Sequence, residues 1–246
     1  MAAFLLVCST LTLAAQTPLG DWDFVMKGSE HGVAQITFSG DGTLTGTAAF
    51  TFFGKRAAIT NRAFVYTNIV GSATLDGSWA YDGANRITGF INEISASSAT
   101  DFVTNGLSFR AVVKPTRVTM LAFGNQGRIT FKGIPLEATN DISGTYHATG
   151  RQRDLPFPFV EIFEVSNVGL NDYEVIGGGP GYDYTGRFLV SRQRYAAFYQ
   201  TRGLTYSNSL VTVYAGPFNA SKRKGSLTGT DGIRTGIRYN LVHEAP

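Results

Sequence analysis

Val33-Ala34-Gln35-Ile36-Thr37-Phe38 alternates apolar and polar side chains and runs through Ser39-Gly40 into Asp41-Gly42, after which Leu44–Ala48 takes up a strand pattern again. A period of two sends successive side chains to opposite faces of a sheet, one buried and one wet. In an Asp-Gly turn the glycine accepts the positive φ that tight hairpins require. The stretch therefore predicts an antiparallel hairpin, because strands of parallel sheets are buried on both faces and read as continuous apolar runs.

The same alternation recurs in Leu107-Ser108-Phe109-Arg110-Ala111-Val112, Arg128-Ile129-Thr130-Phe131, Val160-Glu161-Ile162-Phe163-Glu164-Val165 and Leu210-Val211-Thr212-Val213-Tyr214. Asp76-Gly77, Asp82-Gly83 and Asp231-Gly232 read as further turns, and no stretch carries a helical period of useful length. Counting runs between turn signals gives about eight strands on each side of Asn140. The expected fold is all-β, as two related antiparallel barrel or sandwich units over residues 16–139 and 140–246. One large barrel or sandwich using every strand is the alternative. Gly20-Asp21-Trp22 and Gly144-Thr145-Tyr146 each open a half, a faint internal echo of a duplicated unit.

Composition supports a folded chain. Of 246 residues, 43% are hydrophobic and 16% charged, against roughly 25% charged in an average globular protein. The formal charge is +3 and is spread evenly along the chain, too little to suggest nucleic acid or an anionic membrane surface as a partner. Ala2 to Ala15 carries no charge and is followed by small residues, which reads as a signal peptide over residues 1–15. It is shorter than the ~20 residues a bilayer-spanning helix needs, so no transmembrane anchor is expected. Export places the mature chain in the secreted, periplasmic or cell-surface compartment. Cys8, the only cysteine, lies in that leader, so disulfides and thiolate chemistry are excluded from the mature chain.

Motifs for chemistry are sparse. There is no nucleophile elbow, no paired histidine at metal spacing and no phosphate loop. His31, His147 and His243 lie far apart in the sequence, and the pairs Asp21/Asp23 and Asp172/Glu174 read as solvated strand faces. No catalytic residue, metal or cofactor is accordingly expected. Gly177-Gly178-Gly179-Pro180-Gly181 reads as a wide hairpin loop. Nine of the 11 tyrosines follow residue 140, while phenylalanine is divided 12 to 6 the other way. Tyrosine favours places where its hydroxyl meets a partner or water, so the second half is expected to expose more aromatic surface. The ligand-binding candidates there are Tyr182, Tyr184, Tyr195 and Tyr199 with Arg192 and Arg194. Glu161, Glu164, Asp172, Glu174 and Asp183 run through the same stretch and offer the best foothold for glycoside hydrolysis.

Gly20-Asp21-Trp22 resembles the Gly-x-Trp that opens lipocalins and related calyx barrels. That resemblance implies a tryptophan plugging one barrel end and an interior that holds an apolar ligand. The paired cysteines and C-terminal helix of that family are missing here. The order Phe38-x-x-Asp41-Gly42-Thr43-x-x-Gly46, together with the leader, is similar to exported bacterial all-β proteins and implies no activity. The function expected is a non-catalytic exported binding module for a small apolar ligand or a glycan. The alternatives are a structural or cell-envelope interaction protein and a glycan-active hydrolase.

Overall fold

The computed structural model describes residues 17–52, 58–60, 63–65, 72–82, 85–96, 102–124, 127–151, 157–179, 182–191, 195–203, 210–230 and 235–244. The first half holds β1 (Gly20–Gly28), β2 (Glu30–Phe38), β3 (Thr43–Phe52), β4 (Ala58–Thr60), β5 (Ala63–Val65), β6 (Ser72–Tyr81), β7 (Arg86–Ala96), β8 (Phe102–Lys114), β9 (Arg117–Gly124) and β10 (Gly127–Pro135). The second holds β11 (Gly144–Arg151), β12 (Phe159–Gly169), β13 (Asp172–Gly179), β14 (Tyr182–Ser191), β15 (Tyr195–Gly203), β16 (Leu210–Asn219), β17 (Lys224–Thr230) and β18 (Thr235–His243). No helix among the described residues is long and apolar enough to cross a membrane.

Each half closes on itself as an eight-stranded antiparallel barrel. In the first, β1, β2, β3, β6, β7, β8, β9 and β10 follow one another round the ring, and β1 pairs with β10 at the seam, Trp22 opposite Pro135 and Gly28 opposite Ile129. The small β4–β5 hairpin is inserted between β3 and β6. In the second, β11 to β18 form the ring in chain order, and β11 meets β18 with Tyr146 opposite His243. The all-β expectation of two related units is therefore met by two barrels. A single large barrel is excluded, since it would pair β1 with β18.

Two of the turn readings are corrected. Asp76-Gly77 lies inside β6, where a Cβ on Gly77 would meet the Phe90 carbonyl oxygen at 1.9 Å. The glycine there serves close approach of neighbouring backbone, a role it shares with turn glycines only in composition. Gly177–Gly179 likewise belongs to β13, and a Cβ on Gly177 would lie 2.3 Å from that of Phe163. Pro180 and Gly181, Gly83 and the Asp231-Gly232 turn lie outside the described residues. The Asp41-Gly42 hairpin forms as read: Gly42 takes φ of 84° and Asp41 accepts from the Thr43 backbone.

The internal echo has a structural counterpart. Gly20 and Gly144 both adopt positive φ, 102° and 127°. The Trp22 indole donates to the Pro18 carbonyl four residues back, and the Tyr146 hydroxyl donates to the Ile142 carbonyl, also four back, at 2.9 Å. On the outer face beside them, Thr37 donates to Asp21 and Thr145 to Glu164. Each barrel thus plugs the same end with the first aromatic of its first strand.

The barrels meet wall to wall. Val33 of β2 and Ala49 of β3 pack against Leu189, Ala197 and Ala215, with Tyr195 alongside. Small side chains let two convex walls approach closely. Gln35 adds a bond to the Leu170 carbonyl. Asn171, at the β12–β13 turn with φ of 59°, is buried and clasps the connecting segment. Its Oδ1 accepts from the Thr139 backbone at 2.8 Å and its Nδ2 donates to the Glu137 carbonyl at 2.7 Å. Asparagine tolerates this left-handed conformation better than most residues. Asn171→Gly keeps the backbone relaxed but removes both bonds, and urea unfolding is expected to show a loss of about 1–3 kcal/mol. An unchanged midpoint would mean that the clasp contributes nothing.

Candidate functional site

Eight strands enclose a lumen only wide enough for side chains or one small ligand. Here side chains occupy it. The first barrel is filled by Phe24, Phe38, Phe131, Leu75, Ile91 and Met120 among others, with Phe24 edge-on to Phe131 at 6.1 Å. Among the described residues, these side chains occupy the interior in which the calyx resemblance would place an apolar ligand.

Among the described residues, a carboxyl pair departs from the apolar filling. Glu30 opens β2 on the inward register of Ala34, Ile36 and Phe38, and Glu93 points inward from β7 with Ile87 and Ile91. Both are buried, at the rim from which the chain leaves to form β4 and β5, opposite the Trp22 end. No N–H or O–H donor among the described residues reaches either Glu30 carboxyl oxygen. A hydrogen bond shared by the two carboxyls would need a proton of its own. Burial, then the charge of Glu93, then that shared bond hold the Glu30 carboxyl well above the usual carboxylate range.

The second barrel solves the same problem differently. Glu161 is buried and accepts a short hydrogen bond from the Tyr239 hydroxyl. Tyr214 stacks on Tyr239 at 4.3 Å, and Phe198 stacks on both. Burial above all, with Glu161, Tyr184 and Tyr214 around it, pushes the Tyr239 hydroxyl well up. The expectation of exposed aromatic surface in this half is thus corrected for Tyr146, Tyr173, Tyr184, Tyr214 and Tyr239, which are fully buried. Inside the barrel the Tyr146 hydroxyl donates to the Ile142 carbonyl and the Tyr239 hydroxyl to Glu161.

The sequence candidates are dispersed. Tyr184 faces the lumen, while Tyr195 is half-buried at the contact between barrels, where burial raises its hydroxyl pKa. Tyr182 and Tyr199 lie on β14 and β15, and Arg192 and Arg194 fall outside the described residues. The carboxylates of this stretch are not brought together either. Glu161 points inward to Tyr239, Glu164 outward to Thr145, and Asp172 pairs with Arg187 at 2.6 Å, while Glu174 and Asp183 are exposed. No group of three or more potential metal ligands occurs among the described residues.

Concave surface lies on the outer walls. On the second barrel a groove of about 580 Å³ runs between Pro217, Asn219, Lys224, Ser226, Asn240 and Val242. On the first, a groove of about 450 Å³ is lined by Asp82, Arg86, Arg110, Val112, Thr119 and Leu121. The wall around this second groove carries Phe90 and Phe123, 41% and 42% exposed, with the Arg110 guanidinium 5.9 Å over the Phe123 ring. These residues gave no sequence signal, being scattered from 82 to 123, and only the strand register gathers them.

The chain matches no family model, no curated protein and no solved structure. Its surfaces are therefore to be read from their own chemistry.

The carboxyl pair yields a stability test. A buried acid whose folded pKa is raised binds more protons folded than unfolded. Its stabilising effect is complete below the ordinary glutamate value and is lost as pH rises through the folded value. Urea unfolding from about pH 4 to about pH 9 is expected to show this decline in the wild type. Replacing both residues, Glu30→Gln with Glu93→Gln, should flatten that part of the profile. An equal decline in the double variant would show that the pair holds no shared proton.

Proposed function

We propose that this chain is an exported, non-catalytic binding protein that meets glycans on the outer walls of its two barrels. The observation that carries this reading is the filling of both lumens. Aromatic and aliphatic side chains occupy the space a calyx protein would give to its ligand, so the concave surface lies outside. Both grooves combine apolar floor atoms with hydroxyl, amide or cationic groups, Ser226 and Asn240 in one, Thr119 and Arg110 in the other. Sugars ask for this mixture, because their ring faces are apolar and their edges are hydroxyls. The uncharged leader of residues 1–15 supports export to a compartment where surface and matrix glycans are met. We take the boundary between the two units at Asn140, in the segment that joins β10 to β11.

Incubating the secreted chain with a panel of neutral and acidic polysaccharides tests the reading. At least one should retard the protein in affinity electrophoresis, with no increase in reducing ends over the incubation. A native mass spectrum carrying a bound apolar molecule, with no glycan retarding the chain, would contradict it. New reducing ends would move the protein to the hydrolases.

A further inference from the structure

The strands β7, β8, β9 and β10 form one continuous stretch of the first barrel's outer wall. Their outward positions include Arg86, Arg110, Lys114, Arg117, Arg128 and Lys132, all exposed. The sole acid in these four strands is Glu93, and it points into the lumen. Register sets the cations in rows. Arg128 lies across from Phe123, Arg110 across from Leu121, Lys132 across from Thr119, and Lys114 across from Arg117. Successive rows are ~7 Å apart along a strand and neighbouring strands ~5 Å apart. No carboxylate among the described residues forms an ion pair with Arg86, Arg110, Lys114, Arg117 or Arg128. Asp82 borders the groove, and Asp76 on the neighbouring β6 is engaged by Asn92.

We infer that this wall binds an acidic polysaccharide, a chain of sugars carrying carboxylate or sulfate groups. The inference rests on the glycan-binding reading above and names the ligand class and the surface. Its ground is charge complementarity. Like charges crowded on one wall repel one another, and an anion laid between the rows relieves that repulsion. Most of these cations are arginines, whose planar forks match carboxylate and sulfate oxygens in pairs. The apolar atoms of Phe90, Val112 and Leu121 between them offer contact to sugar ring faces. Phe123 is capped by Arg110, so this ring presents a cation rather than an open face for stacking a nucleobase. The wall is also free of the second barrel. In the ring, β8 and β9 stand opposite β2 and β3, and those two strands carry Val33 and Ala49 of the inter-barrel contact.

Binding of the full secreted chain to polygalacturonate and to heparin, with dextran as neutral control, tests the inference. At least one acidic polymer should bind, more weakly as salt rises. Arg110→Glu with Arg128→Glu should weaken it by about tenfold or more. Lys222→Glu with Arg238→Glu, on the second barrel, changes the net charge equally and should leave binding within about twofold. Arg110→Gln with Arg128→Gln, a milder pair, should fall between, and thermal melting of each variant establishes folding. Binding of dextran but of neither acidic polymer would overturn the inference while leaving the glycan reading intact. Failure of every polymer would remove both. Equal losses in the two charge-reversed pairs would reduce the effect to net charge and overturn the wall. Tighter binding of single-stranded DNA or of anionic phospholipid vesicles would also overturn the polysaccharide assignment.

Discussion

Closure of an eight-stranded ladder is the constraint on which everything else in this molecule depends. A ring has no free edge, so β1 must meet β10 and β11 must meet β18 in one register each. A slip of one residue at either seam would exchange every inward side chain for an outward one. Parity along each strand therefore sorts the sequence into a lumen and a wall. The lumen is narrow enough that its side chains fill it, and the wall receives whatever the lumen cannot hold. The two grooves lie on the outside by the same rule that builds the core.

Polar groups caught on the inward parity must be satisfied in place, because burying an unpaired carboxylate is costly. The two barrels answer this in different ways. Glu30 and Glu93 are both buried in the first barrel, and burial with the charge of Glu93 holds the Glu30 carboxyl well above the usual carboxylate range. Glu161 takes the Tyr239 hydroxyl, and a stack of aromatic rings surrounds that bond. The plugged ends, by contrast, are alike: Trp22 and Tyr146 each reach back four residues to a carbonyl. The shared entrance and the divergent interior fit two copies of one unit whose lumens have drifted apart.

Much of the fold was legible because a period of two needs no long-range information. Val33 to Phe38 and Arg128 to Phe131 show their faces directly, and Asp41-Gly42 announces its hairpin. Asp76-Gly77 and Gly177–Gly179 misled because a glycine that admits a neighbouring backbone looks the same in sequence as one that turns the chain. Tyr239 misled for a related reason: its acceptor, Glu161, lies on another strand, and no local pattern reveals it. Neither the Glu30–Glu93 pair, far apart in the sequence, nor the six cations of the β7–β10 wall forms a local cluster. Both exist only once register is known.

The claim most exposed to test is that each half closes on itself. With Cys8→Ser as background, the outward pair Lys27→Cys and Thr130→Cys spans the β1–β10 seam, and Thr149→Cys with Asn240→Cys spans β11–β18. Facing positions across an antiparallel ladder are close enough for a disulfide. Mild oxidation should give both cross-links within single chains, seen as the corresponding linked peptides by mass spectrometry. Failure of both pairs, with Lys27→Cys instead trapping a cysteine placed on β18, would mean one large ring and would contradict the two-barrel account.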